Sequence, residues 1–188
     1  MSLVVVYDAC VLYPASLRDL LMRLAVEEIC QARWSEKILD ELFSNLRINR
    51  PDLDPVKLER TRRMMCEALP DCLVTGHTHL IDLLELPDPG DRHVLATAIH
   101  SGAGAIVTDN LQDFPGEALR PFGLEAVSAD EFALGALKAT PEQVVAIVRQ
   151  QAADLKNPPY TVAELIERLE ANGLKRFTEE LRQLSPSS

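Results

Sequence analysis

The sequence has few aromatic residues and lacks the cysteine spacings that usually bind metal. Aromatic side chains make up 5% of the chain and Trp34 is the one tryptophan, so a binding surface built mainly on aromatic stacking has little support. No CxxC or Cys/His ligand pattern is present. We therefore expect reduced core thiols, rather than disulfides, at Cys10, Cys30, Cys66 and Cys72.

Long apolar runs are also lacking. The N-terminal segment MSLVVVYDAC comes nearest to one, but it has no basic flank and is broken by Asp8. It therefore fits neither a signal peptide nor a membrane span, and we expect a cytoplasmic protein with no membrane partner. His77 and His79 have a spacing that can ligate zinc, yet no cysteine or further histidine is near them in sequence, so a loop is the better interpretation.

The length and charge of the chain favour one acidic main domain. With 188 residues and 47% hydrophobic side chains, the chain can bury one core and carry a small appendage. Its net charge is −10, but the charge is unevenly distributed. Residues 71–137 contain eleven acidic and two basic residues, whereas residues 47–63 contain six basic and three acidic ones. Divalent cations bound among the acids would reverse the local sign there.

Strand and helix patterns alternate along the first two thirds of the chain. Continuous apolar runs predict buried strands, and apolar residues at helical spacing predict amphipathic helices. The predicted strands are 3–7, 72–75, 105–108 and 124–128. The predicted helices cover 36–48, 52–69, 88–101 and a segment starting at a capping box of Ser16 and Asp19. This order favours an α/β domain with a mostly parallel sheet and helices on both faces.

From Ser128 onward the pattern is helical. Probable N-caps stand at Ser128, Thr140 and Thr161, each followed three residues later by Glu or Gln, namely Glu131, Gln143 and Glu164. We predict a main domain over residues 1–137 and a helical C-terminal extension over residues 138–188.

Several carboxylates stand where a parallel sheet collects ligands. Asp8 and Asp109 follow two separate apolar strands, whose carboxyl ends lie at the same edge of the sheet. Asp91 shares a helix face with the apolar residues Val94 and Leu95, where an ionised group is unfavourable unless it is paired or bound to metal. Alternatively, Asp91 only stabilises a helix start that Asp88 caps.

Four motifs in this order resemble the PIN-domain family. They are residues 6–14 (VYDACVLYP), 38–42 (ILDEL), 88–98 (DPGDRHVLATA) and 106–115 (IVTDNLQDFP). The nearest likeness is to VapC-like toxin ribonucleases of type II toxin-antitoxin systems, some of which carry a C-terminal helical extension. The resemblance implies a PIN-like three-layer α/β/α sandwich.

The resemblance also implies a two-metal mechanism of RNA cleavage with Mg²⁺ or Mn²⁺. By this resemblance, the family's metal-binding acids correspond to Asp8, Glu41 and Asp91, and to either Asp109 or Asp113. Asp88, Thr108, Asn110 and Asn45 would support them. Read alone, Glu41 is more often a solvated surface residue and Asp113 a turn residue.

RNA backbone and partner contacts are further expectations. The basic residues between positions 47 and 63 form the best candidate strip for phosphates, although charged helix faces are usually just solvated; the candidates are Arg47, Arg50, Arg60 and Arg63, with Lys57 and Arg62 in the same strip. Arg92 could also touch phosphate, as could His93, unless a polar helix face explains both. The family implies an antitoxin, and a homodimer through the leucines of the first helix, which core packing explains equally well: Leu17, Leu20, Leu21 and Leu24.

Two other functions stay open. A PIN-like domain could bind RNA or a partner without cutting. An aspartate-dependent phosphatase would also place a carboxylate at Asp8, but Cys10 stands where its second acid belongs, and the third and fourth motifs contain no lysine.

Overall fold

The computed structural model describes residues 3–156 and 158–184, which fold around a sheet of four parallel strands. The strands are β1 (Leu3–Tyr7), β2 (Cys30–Arg33), β3 (Ala105–Val107) and β4 (Glu125–Val127). They lie in the order β2-β1-β3-β4, so the direction of winding reverses between β1 and β3. The continuous apolar run of β1 is explained by its central place, where Val5, Val6 and Tyr7 are fully buried.

Helices cover the sheet, and the predicted PIN-like α/β/α arrangement is confirmed. The α-helices in the described residues are α1 (Ala9–Leu12), α2 (Ala15–Val26), α3 (Glu36–Asn49), α4 (Pro55–Ala68), α5 (Arg92–Ser101), α6 (Gly116–Leu119), α7 (Ala129–Ala139), α8 (Pro141–Asp154), α9 (Val162–Ala171) and α10 (Lys175–Leu184). Helix α5 packs on β1, β2 and β3, and α2 packs on β2. Short 3₁₀ helices occupy Thr78–Leu83, Pro89–Asp91, Leu111–Asp113 and Arg120–Phe122.

One predicted strand is wrong and one real strand was missed. Residues 72–75 form no strand; Leu73 makes a single parallel bridge to Trp34, beyond the end of β2. The segment cannot extend this pairing because the chain turns at Gly76, whose φ is +85°. Strand β2 was missed because its side chains alternate between buried and exposed on a sheet edge, so it lacks a continuous apolar run.

Two predicted helix caps are also wrong, for a shared reason. Helix α2 starts at Ala15 without a side-chain cap, and Thr140 makes no cap bond at the start of α8. The Ser16 hydroxyl instead accepts a 2.7 Å hydrogen bond from Asn172, and the Thr140 hydroxyl donates to the carbonyl of Ala136. In both places the hydroxyl has another partner. The capping boxes predicted at Ser128 and Thr161 are present.

The C-terminal helices are anchored to the sheet domain through α2. Helices α8 and α9 both contact α2, and α10 packs on α7. Gln151 donates to the backbone carbonyl of Ser16 at 2.9 Å, and Arg23 forms an ion pair with Asp154 at 3.0 Å. Asp130 of α7 accepts hydrogen bonds from two backbone amides at the start of α10. The extension is therefore tied to the rest of the chain by polar contacts as well as by packing.

The leucines proposed for a homodimer lie inside the chain. Leu17, Leu20, Leu21 and Leu24 are all fully buried, so core packing accounts for them. Any homodimer would need another surface. Within residues 3–156 and 158–184, no helix combines the length and the apolar character that crossing a bilayer requires.

Candidate active site

The site lies where the winding of the sheet reverses. Asp8 follows β1 and Thr108 follows β3, and these two strands are neighbours in the sheet. The backbone amide of Asp8 donates to the carbonyl of Val107 at 3.1 Å, which continues the pairing by one residue. Loops leaving such a point diverge and open a cleft at the carboxyl ends of the strands.

Asp8 is held rigidly at the base of this cleft. Its side chain is 5% exposed. Oδ1 accepts from the backbone amide of Ala9 at 2.7 Å, which caps α1, and Oδ2 accepts from the Thr108 hydroxyl at 2.7 Å. The Thr108 hydroxyl in turn accepts from the amide of Asn110 at 3.1 Å. Oδ1 keeps a second lone pair for a ligand.

Cys10 is a neighbour of Asp8 that the sequence had not suggested for the site. Its thiol donates to Oδ2 of Asp8 at 3.3 Å and accepts from the backbone amide of Asp109 at 3.4 Å. Burial, followed by the charge of Asp8, raises the pKa of the thiol to about 12. The thiol therefore stays protonated near neutral pH and acts as a hydrogen-bond donor, not as a nucleophile.

Asp91 faces Asp8 across the cleft and feels several negative charges. It lies at the start of α5, after Asp88, whose carboxylate accepts from the amide of Gly90 at 2.7 Å. Partial burial, and then the charges of Asp8, Asp88 and Asp113, raise the pKa of Asp91 to about 6. Asp88 thus caps the 3₁₀ helix Pro89–Asp91 that leads into α5, and Asp91 lines the cleft.

Glu41 is held by a buried histidine. Its Oε1 lies 2.9 Å from Nε2 of His93, whose side chain is 1% exposed. The two atoms are close enough for an ion pair, but the ring nitrogen is not aligned for a hydrogen bond. Neither ring nitrogen has a hydrogen-bond partner among the described residues. A polar helix face therefore does not explain His93. Glu41 itself is 39% exposed and lines the cleft, so it is not a freely solvated surface residue.

Asp109 and Asp113 are used differently. Oδ1 of Asp109 accepts from the backbone amide of Ala129 at 3.1 Å, at the first turn of α7. Asp113 lies in the 3₁₀ helix after Asn110, and its charge contributes to the raised pKa of Asp91. The Asp109 carboxylate thus has a backbone partner at α7. The choice between Asp109 and Asp113 as the fourth acid stays a prediction.

The cleft continues beyond the acids. It has a volume of about 490 Å³ and is lined by Asp8, Ala9, Cys10, Tyr13, Glu41, Asn45, Asn49, Asp91 and Asn110. Sequence reasoning missed Cys10, Tyr13 and Asn49. The signal for Asn49 was available, because it follows Glu41 and Asn45 at steps of four residues, which places all three on one face of α3. Cys10 lies in α1 and Tyr13 directly after it, and a helix of four residues is too short to give such a periodic signal.

The basic strip is largely paired with acids. Arg47 lies 3.2 Å from Glu59, Arg63 lies 3.6 Å from Glu67, and Arg50 makes hydrogen bonds of 2.7 and 2.8 Å with Asp52. Arg62 pairs with Glu36 and Asp40. No ion pair is seen for Arg60 in the described part of the chain. Such exposed pairs are weak and can exchange for phosphate.

The remaining polar residues considered from the sequence are Arg92, His77 and His79. Nε of Arg92 is buried without a hydrogen-bond partner in residues 3–156 and 158–184. Nδ1 of His79 donates to the carbonyl of Gly76 at 2.8 Å, and His77 is buried. Among the described residues no group of three His, Cys, Asp or Glu side chains stands at metal-ligand spacing.

The family models match both parts of the chain. A PIN domain model matches residues 4–112, more than half of the chain, and the chain belongs to the PIN domain family. A second model, the VapC50 C-terminal domain, matches residues 129–183. The predicted likeness to VapC-like PIN proteins with a C-terminal helical extension is thereby confirmed. The predicted boundary after residue 137 falls inside α7 and stays a prediction.

One similar protein is named as a ribonuclease. The protein named "Putative ribonuclease VapC50" of Mycobacterium tuberculosis (strain ATCC 25618 / H37Rv) is 36% identical over 97 residues, which is 52% of this chain and 57% of the relative. The match thus covers less than two thirds of the relative's length. No solved structure is significantly similar to the chain.

Proposed function

We propose that this chain is a metal-dependent endoribonuclease that hydrolyses RNA phosphodiester bonds, and that it is the toxin of a toxin-antitoxin pair. The acidic cleft carries the proposal: Asp8, Glu41 and Asp91 come from three separate segments and line one cleft where the sheet reverses, and the charge of Asp113 also acts on Asp91. The PIN domain and the name of the relative support RNA as the substrate.

The donor set of the cleft fits Mg²⁺ or Mn²⁺. Carboxylate oxygens are the ligands these ions prefer, and the raised pKa of Asp91 reflects excess negative charge that a cation would neutralise. Asp8, Asp91 and Asp113 would hold the metal, and Glu41 would complete the shell directly or through water. Because no three acids in the described residues are already at ligand spacing, we infer that binding draws them together. A bound pair of ions would supply an activated water and stabilise the leaving oxygen.

The remaining residues of the cleft orient these groups. The Thr108 hydroxyl fixes the rotation of the Asp8 carboxylate through its 2.7 Å hydrogen bond. Asn110 lines the cleft and is placed to donate to the scissile phosphate. Arg92 directly follows Asp91, and its guanidinium is our candidate for a charged phosphate contact. Asp109 is assigned to the start of α7 and not to the metal.

The two alternatives are weaker. In a phosphatase, a second carboxylate two residues after Asp8 would act as the acid, whereas the thiol of Cys10 there has a pKa of about 12. A silent binding module would not need three mutually repelling carboxylates, since their repulsion destabilises the fold unless a ligand relieves it.

RNA cleavage by purified protein tests the proposal. We expect cleavage of internal bonds of a labelled single-stranded RNA with Mn²⁺ or Mg²⁺ and none in EDTA. Asp8→Asn should lower the rate about a thousandfold, since several kcal/mol of transition-state stabilisation are lost. Asn can still accept from the amide of Ala9, so the variant should keep its fold, which circular dichroism would check.

The outcomes separate the three functions. Undiminished metal-dependent cleavage by Asp8→Asn would refute the assigned site. RNA binding without cleavage by the wild type would favour the silent module, and hydrolysis of an aryl phosphate would favour the phosphatase.

An antitoxin partner and a cytoplasmic location are parts of the same proposal. A basic side chain of an antitoxin entering the acidic cleft would neutralise Asp8, Asp91 and Asp113 in place of metal. Co-purification with the product of a neighbouring small gene, lost when the cleft acids are replaced, would support this.

A further inference from the structure

We propose that Tyr13, Asn45 and Asn49 form a binding subsite for one unpaired nucleobase of the RNA, next to the scissile phosphate. The proposal rests on the ribonuclease function but adds residues and a ligand class to it. All three side chains line the same cleft as Asp8, Glu41 and Asp91.

Helix α3 places the two amides in line with the acids. Glu41, Asn45 and Asn49 are four residues apart, so they lie on one face of the helix, with a rise of about 6 Å between successive members. Glu41 is at the acidic end of the cleft, and Asn45 and Asn49 extend the polar row away from it. A group bound to the asparagines would therefore be a neighbour of the group cut at the acids.

The two amides are free to bind. Asn45 and Asn49 are exposed, and neither side chain makes a hydrogen bond in the part of the chain that the structure describes. A carboxamide presents both a donor and an acceptor, which matches the edge of a nucleobase. Elsewhere in the chain an asparagine amide is already engaged: Asn172 donates to Ser16 at 2.7 Å.

Tyr13 supplies an aromatic face on the other wall of the cleft, and its backbone is fixed. It ends α1, and the guanidinium of Arg18 donates to the carbonyls of Leu12 at 2.7 Å and of Tyr13 at 3.2 Å. The side chain is half-buried at the rim, so one part packs on the protein and the rest faces the cleft. A fixed aromatic ring is a suitable platform for stacking an unpaired base.

The charges of the residues around Tyr13, Asn45 and Asn49 favour a base over a phosphate as the ligand. The cleft lining includes no lysine or arginine. Arg50 lies nearby, and its pKa is raised by the hydrogen bond and charge of Asp52 and, to a smaller extent, by Tyr13. Its guanidinium makes two hydrogen bonds with Asp52 and is not part of the cleft lining. Amides and an aromatic ring, in a lining without lysine or arginine, favour a neutral, planar, hydrogen-bonding ligand.

Binding without cleavage tests the subsite independently of catalysis. Fluorescein-labelled RNA 8-mers of A, C, G or U are titrated with the full chain in EDTA and followed by anisotropy. Tyr13→Leu should weaken binding about 5- to 150-fold, whereas Tyr13→Phe should stay close to the wild type. Asn45→Ala and Asn49→Ala should each weaken binding about 2- to 10-fold and reduce the difference between the four bases.

Matched controls are available on the same helix and outside the cleft. Ser44→Ala changes an exposed neighbour on α3, and Tyr160→Leu removes an aromatic ring that stacks under Arg168 in the extension. Both should bind like the wild type. Equal weakening by Tyr13→Phe and Tyr13→Leu, or an unchanged base preference in both asparagine variants, would overturn the proposal.

Cleavage mapping separates this inference from the proposed function. If the wild type cuts RNA, Asn45→Ala and Asn49→Ala should change the base preferred at one position flanking the cut, and Mn²⁺ affinity should be unchanged. If it never cuts, the ribonuclease proposal fails, but base-dependent binding lost in Tyr13→Leu still supports the subsite. Cleavage with an unaltered flanking preference in both variants would refute the subsite alone.

Discussion

The acidic cleft and the C-terminal extension use polar side chains in opposite ways. In the cleft, partial burial and the neighbouring carboxylates raise the pKa of Asp91 to about 6, so its charge is unfavourable in the protein alone. In the extension, several polar groups have partners: Thr161 and Glu164 form a reciprocal capping box, and Glu170 pairs with Arg182 at 2.5 Å. The cleft is arranged for a ligand, and the extension is arranged for stability.

This contrast predicts opposite effects of substitution in the two regions. Removing charge in the cleft should abolish activity while stabilising the fold. Removing a polar group in the extension should destabilise the fold and leave activity nearly unchanged. Such a division between stability and function is expected where an active site carries strain.

Asp91→Asn should give the largest effect. We expect RNA cleavage to fall about a thousandfold, because a metal ligand is lost. The apo variant should nevertheless unfold at a higher temperature than the wild type at pH 7.5. The gain is on the order of 1 kcal/mol after allowing for solvent screening, or about 2 to 4 °C.

The pH dependence of that gain follows from the direction of the pKa shift. The folded-state pKa of Asp91 is about 6, above the usual value of 3.8, so its ionisation destabilises the fold increasingly as pH rises through this window. Near pH 3.5 the carboxyl is protonated in both states and the difference in melting temperature should vanish. An equal difference at both pH values would contradict the assigned repulsion.

Asp113→Asn and Asp109→Ala should separate the fourth acid from a structural one. We expect Asp113→Asn to lower cleavage about 10- to 100-fold with little change in stability. Asp109→Ala should keep most of the activity but lose about 1 kcal/mol of unfolding free energy, because the amide of Ala129 loses its partner. Cleavage rates and urea melts measure both effects, and the reverse pattern would reassign the two residues.

His93→Leu should have a smaller effect on cleavage, through Glu41. The imidazole lies 2.9 Å from Oε1 of Glu41, so its loss frees the carboxylate to rotate. We expect about a tenfold loss of cleavage and weaker Mn²⁺ binding. In a Glu41→Gln background the same change should add little, since both act on one contact. His100→Leu, at an exposed position of the same helix, is the matched control. Additive effects would exclude a positioning role.

The sequence predicted the elements with strong local patterns. Strand β1 is a continuous apolar run, and α3 has apolar residues at helical spacing, so both were predicted close to their observed bounds. The edge strand β2 and the single bridge of Leu73 depend on which strand lies beside them, which local patterns do not encode. The failed cap at Ser16 has the same origin, since Asn172 is a partner far along the chain.

The candidate site was predictable to a similar degree. The positions of Asp8 at a strand end and of Asp91 on a helix face predicted that both belong to one site, and both line the same cleft in the structure. The sequence could not show that the first turn of α7 donates to the carboxylate of Asp109, and the choice between Asp109 and Asp113 stays a prediction. His93 was missed as a partner of Glu41 because the contact joins α3 and α5, which are separated by more than forty residues.

Thr161→Ala should give the smallest effect and the clearest control. The Thr161 hydroxyl accepts from the amide of Glu164 at 3.2 Å, so its loss should lower the unfolding free energy by about 1 kcal/mol. Thr140→Ala is the matched variant, because Thr140 precedes α8 without making a cap bond and should change stability by less than about half as much. Neither should alter the cleavage rate at 25 °C. If Thr161→Ala slowed cleavage while the protein remained folded, the extension would take part in function and the contrast between the two regions would fail.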